Sequence, residues 1–101
     1  MAIYHVVLFK LKPGVTPEQI SEYKAVGRGL VGKIPGLLKF EVNTALPATA
    51  HRAQGYDMGV ILVLGKEEDL KVYTEHPAHL GARKLRLALS DDTLAFDMEV
   101  A

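Results

Sequence analysis

The chain has 101 residues, and its 12 Lys and Arg residues balance its 12 Asp and Glu residues. A chain without net charge has no long-range attraction for nucleic acid or for an anionic membrane, so we expect neither partner. The chain contains no cysteine, which excludes disulfides, thiolate catalysis and thiolate metal sites together.

The length predicts one domain, residues 1–101. Its start, Met-Ala-Ile-Tyr-His-Val, lacks the basic and long apolar regions of a secretory signal. No apolar run approaches the roughly 18 residues that a membrane-spanning helix needs. We therefore expect a cytoplasmic location.

The first half of the chain predicts a strand, a helix and a second strand. Residues 3–11 alternate with apolar side chains on both faces, which is typical of a strand buried on both sides. Thr16, Pro17 and Gln19 form a capping-box pattern at the start of a helix. We expect that helix to continue along one apolar stripe until Pro35-Gly36 ends it. Residues 38–44 then predict a half-exposed strand with Phe40 and Val42 on one face.

The second half predicts a loop, a strand, two helical segments and a last strand. Residues 46–55 predict a loop, and residues 56–64 predict a strand that is apolar on both faces. A helix is predicted from Glu67 to about Glu75, and a second helical segment follows Pro77. On that segment we expect a buried stripe, with three cations mostly outward: Arg83, Lys84 and Arg86. Ser90-Asp91-Asp92 is predicted to break it before a last strand with Leu94, Phe96, Met98 and Val100 on one face.

The order β-α-β-β-α-β predicts a ferredoxin-like α+β fold with a four-stranded antiparallel sheet. Helices placed this way cover only one face of such a sheet. The apolar side chains on the other face of the first and third strands would then contact water. Each Å² of apolar surface left in water costs about 25 cal/mol of free energy, and such surfaces usually mark an interface. We therefore expect a homodimer whose two sheets pack face to face into an α+β barrel.

The most informative segment is Tyr73-Thr-Glu-His-Pro77-Ala-His79, which crosses the predicted break between the two helical segments. Pro77 fits the first position of a helix, so His79 falls in its first turn. The free N–H groups there disfavour an imidazolium and favour a neutral ring. A neutral imidazole beside a tyrosine hydroxyl can abstract a proton and hold the resulting oxyanion. The alternatives are a surface or capping role for His79 and a core position for Tyr73.

Other residues leave two interpretations each. His5 lies in an apolar strand, where its ring needs a hydrogen-bond partner or lines a pocket. Gly27 lies on the buried stripe of the first helix, where the missing side chain leaves either a cavity or close helix–sheet packing. His76 precedes Pro77 and is expected to end the first segment. His76 and His79 have a spacing that metal sites sometimes use, but no third ligand is evident, so we expect no metal.

The chain resembles the stress-responsive A/B barrel family, the dimeric α+β barrels, over essentially its whole length. The resemblance rests on the strand His-Val-Val-Leu-Phe-Lys-Leu-Lys, the turn Ile34-Pro35-Gly36, and Tyr73-x-x-His-Pro-Ala-His79 with Gly81. One member is a plant polyketide cyclase that closes a linear tetraketide by an aldol condensation. The resemblance implies that His79 removes the acidic C2 proton and that Tyr73 hydrogen-bonds the thioester or enolate oxygen. It also implies that His5 lines the cavity.

The chain departs from that cyclase at two pocket positions. The cyclase has a histidine at the position of Met58 and a tyrosine at the position of Gly27. Both changes imply a less polar cavity, and Gly27 implies a larger one. We expect Tyr23, on the same stripe as Gly27, to contact the substrate together with His5, Gly27 and Met58.

Three functions remain open. The first is a cofactor-independent acid–base enzyme, such as a polyketide cyclase or related lyase, acting on a small polyketide-like or carbonyl substrate. The second is a non-catalytic stress-response barrel that binds a hydrophobic small molecule. The third is a cofactor-free monooxygenase. None of the three calls for a cofactor, and each expects a small hydrophobic or polyketide-like ligand.

Overall fold

A computed structural model describes residues 1–101 of the chain. In chain order the elements are β1 (Ala2–Leu11), α1 (Pro17–Arg28), β2 (Leu37–Thr44), a 3-10 helix (Pro47–Arg52), β3 (Met58–Leu64), α2 (Glu67–Glu75), α3 (Pro77–Leu89) and β4 (Ser90–Val100). The strands form one sheet in the order β2-β3-β1-β4, and every neighbouring pair is antiparallel. The predicted ferredoxin-like α+β architecture is confirmed. No helix combines the length and apolarity needed to span a bilayer.

Helix α1 begins where the capping box predicts and ends earlier than predicted. The Gln19 N–H donates to the Thr16 hydroxyl at 3.2 Å, and the Thr16 N–H donates to the Gln19 side-chain oxygen at 2.8 Å. The helix stops at Arg28 rather than at Pro35-Gly36. Gly32 adopts a φ of +93°, which a right-handed helix does not accommodate. Leu30 and Ile34 remain buried, although they lie in turns after the end of the helix.

Three strand boundaries differ from the prediction. A register shift between Leu37 and Lys39 in β2 buries Leu37 and leaves Leu38 exposed. Strand β3 begins at Met58, after a connection that includes the 3-10 helix. Strand β4 begins at Ser90 directly after α3. Ser90-Asp91-Asp92 therefore belongs to the strand instead of forming a separate break.

The sheet has a helix-covered face and an open face. Ile3, Val7 and Phe9 of β1 lie on the covered face with alternate residues of β3, and all are buried. The intervening β1 residues Tyr4, Val6 and Leu8 pair in register with three apolar residues of β4: Met98, Phe96 and Leu94. Phe96 is 60% exposed. Since no helix covers this second face, a single chain leaves it apolar and in contact with water.

Candidate functional site

A small pocket lies between the covered face of the sheet and the helices. Its volume is about 20 Å³, which is room for about one water molecule. Titratable side chains form one part of its wall: His5, Tyr23, Tyr73, His79, Arg83 and Arg86. Apolar side chains form the rest: Val7, Phe40, Val60, Leu62 and Ala82. Polar hydrogen-bonding groups are therefore concentrated around a space that holds about one water molecule.

The break between α2 and α3 brings two of these side chains together. His76 caps both helices, and its Nδ1 accepts a hydrogen bond from the Ala78 N–H at 3.0 Å. Pro77 takes the first position of α3. Tyr73 therefore lies in the last turn of α2, and His79 lies in the first turn of α3. Their ring centroids are 4.2 Å apart with an angle of 44° between the ring planes.

The ring of His79 is set up as a neutral base. Its Nδ1 lies 3.2 Å from the carbonyl oxygen of Thr74, which can only accept a hydrogen bond. The neutral tautomer therefore carries its proton on Nδ1 and leaves the lone pair of Nε2 free. Burial is the largest cause of a lowered pKa for His79. The nearby charges of Arg86, His5 and Arg83 lower this pKa further, against the raising effect of the Thr74 hydrogen bond. Burial adds to the helix N-terminal effect expected from the sequence.

Tyr73 packs against both imidazoles of the pocket. It is 4% exposed, and its ring centroid is 5.8 Å from that of His5. Burial and the neighbouring Tyr23 raise the pKa of the Tyr73 hydroxyl, and the charge of Arg86 lowers it in part. The phenol therefore stays protonated at neutral pH, where it can donate a hydrogen bond to an oxyanion but cannot act as a base.

A second tyrosine lies on the same wall. Tyr23 is buried, and its ring packs edge-on against Phe9 at 5.7 Å between centroids. Burial raises the pKa of Tyr23 to about 12, with Arg86 opposing the rise. Tyr23 therefore adds a second neutral hydroxyl to the pocket.

His5 is oriented by a carboxylate that the sequence did not point to. Its Nδ1 hydrogen-bonds Oδ1 of Asp97, the residue directly opposite on β4. The His5 side chain is 13% exposed, whereas that of Asp97 is 43% exposed. Because a carboxylate accepts, the proton of the pair lies on Nδ1 of His5. Asp97 could have been found only from the pairing of β1 with β4, which joins residues 92 positions apart.

Two predicted pocket residues lie elsewhere. A Cβ added to Gly27 would lie 2.4 Å from Cε1 and Cζ of Phe40, so the Phe40 ring occupies the space above this glycine. The expectation that Gly27 enlarges the cavity is therefore wrong, because close helix–sheet packing fills that space. Met58 is buried in the core and borders a different pocket, near Ala53 and Tyr56. Of the four residues predicted to contact substrate, His5 and Tyr23 reach the pocket described here.

Arg86 was expected to point outward and instead lines the pocket. Its Nε is buried and has no hydrogen-bond partner in the protein. The helical period could have indicated this position, since Arg86 follows Ala82 by four residues and precedes Leu89 by three. Both of those neighbours are buried. A cation at such spacing lies at the edge of the buried stripe.

The pocket offers acid–base groups rather than a metal site. No group of three or more His, Asp or Glu side chains is placed to hold a metal ion. His76 and His79 each engage a backbone group through Nδ1. What the arrangement can do is remove a proton with the free nitrogen of His79. The hydroxyl of Tyr73 can then stabilise the negative charge that forms.

The fold and the pocket together define a ferredoxin-like α+β domain with two histidines and two tyrosines in a small pocket beneath its helices. Residues 3–100 match the model of the stress responsive A/B barrel domain, and the chain belongs to this family. None of the curated proteins compared with the chain matches it significantly.

Solved structures share the fold over almost the whole chain. A dimeric ferredoxin-like protein of unknown function from Thermobifida fusca is 27% identical, with a TM-score of 0.85 over 99% of this chain and 92% of that one. Hydroxynitrile lyase from Passiflora edulis is 19% identical, with a TM-score of 0.88 over 99% and 94%. SnoaB, a cofactor-independent oxygenase from Streptomyces nogalater, is 13% identical, with a TM-score of 0.76 over 98% and 92%. At the identities of the last two, the likeness shows the fold alone.

Proposed function

We propose that the chain is a cofactor-independent acid–base enzyme that removes a proton from a carbon next to a carbonyl group. The observation that carries this proposal is the packing of the Tyr73 ring against both His79 and His5 in one small pocket. His79 Nε2 takes the proton, because its pKa is lowered and its other nitrogen is hydrogen-bonded. Tyr73 donates a hydrogen bond to the enolate oxygen, and His5, held by Asp97, also lines the pocket.

The size of the pocket favours a small substrate over a polyketide chain. Room for about one water means that even a compact carbonyl compound must displace that water and shift a neighbouring side chain. A polyketide would require a much larger opening. The lyase and the oxygenase on this fold show by fold-level analogy that the scaffold can host enzymes. They do not identify the substrate.

Hydrogen–deuterium exchange at an acidic C–H bond tests the proposal directly. Acetoacetate and methyl acetoacetate are incubated with the protein in D₂O, and loss of the C2 proton signal is followed by NMR. We expect His79→Gln to slow the protein-catalysed exchange by about 100-fold or more, which is the usual contribution of a general base. Tyr73→Phe should slow it by a similar factor, since it removes an oxyanion donor. The catalysed rate should rise with pH to a plateau, and the midpoint of the rise should lie below pH 6.5, because the pKa of His79 is lowered from that value.

Matched controls separate the site from general effects. His51→Gln changes an exposed histidine of the 3-10 helix. Tyr56→Phe changes a tyrosine that contacts Lys10 rather than the pocket. Both controls should leave the exchange rate unchanged. Wild-type exchange rates in both pocket variants would show that the proposed pair does not act.

A non-catalytic, ligand-binding barrel is the second candidate function. The observation that favours it is the apolar part of the pocket wall, which five side chains form. This candidate predicts that the wild type catalyses no exchange with either probe while still binding a small apolar ligand. The exchange assay therefore distinguishes the two functions.

We also propose that the chain is a homodimer joined through the open face of its sheet. Phe96, Met98 and Leu94 are each about half exposed on this face, and contiguous apolar area of this kind marks an interface. The similar Thermobifida fusca protein is described as dimeric. A single domain over residues 1–101 and a cytoplasmic location belong to the same proposal.

Light scattering at micromolar protein concentration tests the dimer. We expect a mass of twice the chain for the wild type and a shift toward the monomer for Phe96→Glu, which places a charge in the apolar face. Leu87→Glu is the control, because Leu87 is also exposed but lies on α3, away from the sheet. A monomeric wild type would contradict the proposed pairing.

A further inference from the structure

The pocket contains a cation for which the protein supplies no counterion. Arg86 is half-buried, and its Nε is enclosed without a hydrogen-bond partner. The ion pair formed within the chain joins His5 to Asp97, and no carboxylate lies within ion-pair distance of Arg86. The charge of Arg86 nevertheless reaches the pocket, since it lowers the pKa values of Tyr23, Tyr73 and His79.

A guanidinium in this position requires an acceptor. Arginine stays protonated at all relevant pH values and offers only donors. A buried donor without a partner costs free energy, and the Nε of Arg86 is such a donor. The two tyrosine hydroxyls in the pocket are neutral and so provide no opposite charge. A carboxylate, by contrast, matches the planar fork of a guanidinium with two parallel hydrogen bonds.

The negative side chains near the site do not meet this need. Asp97 is hydrogen-bonded to His5. Glu67 and Glu99 line a separate cleft of about 320 Å³ between α2 and β4, which also includes Asp97. That acidic cleft repels anions, whereas the wall of the pocket formed by α3 carries Arg83 and Arg86. The sign of the charge therefore favours a bound anion on the α3 side only.

We propose that the pocket binds a small keto acid and that Arg86 selects it by pairing with its carboxylate. This inference rests on the proposed function and adds the class of substrate. With the carboxylate on Arg86, the rest of a short ligand lies in the pocket that Tyr73 and His79 line. An enolate formed there carries a second negative charge, which the same guanidinium helps to stabilise. Arg86 is thus a specificity-determining residue, and Arg83, which is exposed, adds positive potential at the wall.

The experiment compares an acid with its neutral ester. Acetoacetate and methyl acetoacetate differ in charge but carry the same acidic C–H bond. Their dissociation constants are measured by NMR titration at one fixed ionic strength. We expect the wild type to bind acetoacetate at least about tenfold more tightly than the ester, as a hydrogen bond to a charged group provides. In Arg86→Gln this ratio should fall to about one.

Two further variants complete the comparison. Lys84→Gln removes a cation from an exposed position of the same helix and should retain the wild-type ratio. Arg86→Lys keeps the charge without the planar fork, so it should retain part of the ratio. The Arg86→Lys result remains informative if Arg86→Gln fails to fold.

Three results would overturn the inference: equal binding of acid and ester by the wild type, binding of neither probe, or an unchanged ratio in Arg86→Gln. The same experiments distinguish failure of this inference from failure of the proposed acid–base chemistry. If acetoacetate binds through Arg86 but undergoes no catalysed exchange, anion recognition stands and the acid–base role falls. If exchange is catalysed equally for acid and ester, the acid–base role stands and the selectivity of Arg86 falls.

Discussion

Replacing Gly27 by alanine tests how closely α1 packs on the sheet beside the pocket. The new methyl group would lie 2.4 Å from two ring carbons of Phe40. Favourable contacts between carbon atoms occur at about 3.5–4.0 Å, so the ring must move by about 1 Å. Phe40 is buried and lines the pocket. Its displacement therefore strains the core and alters the shape of the site together.

Two opposing contributions set the size of the effect. Alanine is favoured over glycine in a helix by about 1 kcal/mol. Forcing an extra methyl group into a packed core costs about 1–3 kcal/mol. We therefore expect Gly27→Ala to lower the free energy of unfolding by up to about 2 kcal/mol. In a domain of this size, each 1 kcal/mol corresponds to a change of about 4–8 °C in Tm.

Gly81→Ala is the matched control. Gly81 also lies within a helix, α3, and a Cβ there meets nothing within 4 Å. This variant should be more stable than the wild type by up to about 1 kcal/mol. Urea unfolding followed by circular dichroism, at equal protein concentrations, measures both variants. If Gly27→Ala is as stable as Gly81→Ala, the Phe40 ring does not restrict this position and the proposed packing is wrong.

Three other predictions concern single groups. The pKa of His79 is lower in the folded chain than its usual value of 6.5, so protonation favours the unfolded state. Relative to His79→Gln, the wild type should lose stability as the pH falls below 6.5, measured by urea unfolding across pH. Thr16→Ala removes the N-cap of α1 and should lower the free energy of unfolding by about 1 kcal/mol. Thr44→Ala is the control, because Thr44 ends β2 and caps no helix. Arg86→Gln should raise the pKa of His79, because the charge of Arg86 helps to lower it, seen as a shift in the NMR titration of the His79 ring; an unchanged titration would show that the two groups do not interact.

Features that depend on neighbouring residues were predictable from the sequence. The alternation in β1 defines two faces because successive side chains of a strand point in opposite directions. The capping box of α1 follows from Thr16 and Gln19, which lie within one turn. Pro77 marks the helix break because it lacks an N–H group and cannot continue α2. These local rules gave the order of the elements and placed Tyr73 near His79.

Features that depend on distant partners were not predictable. The bulge that buries Leu37 in place of Leu38 arises from the pairing of β2 with β3. Asp97 joins the site only because β4 pairs with β1. The space above Gly27 is filled by a residue of β2, which no pattern within α1 reveals. The prediction for Arg86 was wrong because a charged side chain on a helix usually faces solvent. Arg86 instead lies at the edge of the buried stripe of α3, and its Nε is enclosed.

Strand β1 serves two surfaces at once. His5 and Val7 line the pocket, while Val6 and Leu8 lie on the open face. Neighbouring residues of β1 therefore affect the pocket and the dimer interface separately, although both surfaces depend on the same strand. Engineering one can leave the other intact if only alternate residues are exchanged. A deletion or insertion of one residue within β1 would exchange the two sets of side chains and damage both properties together.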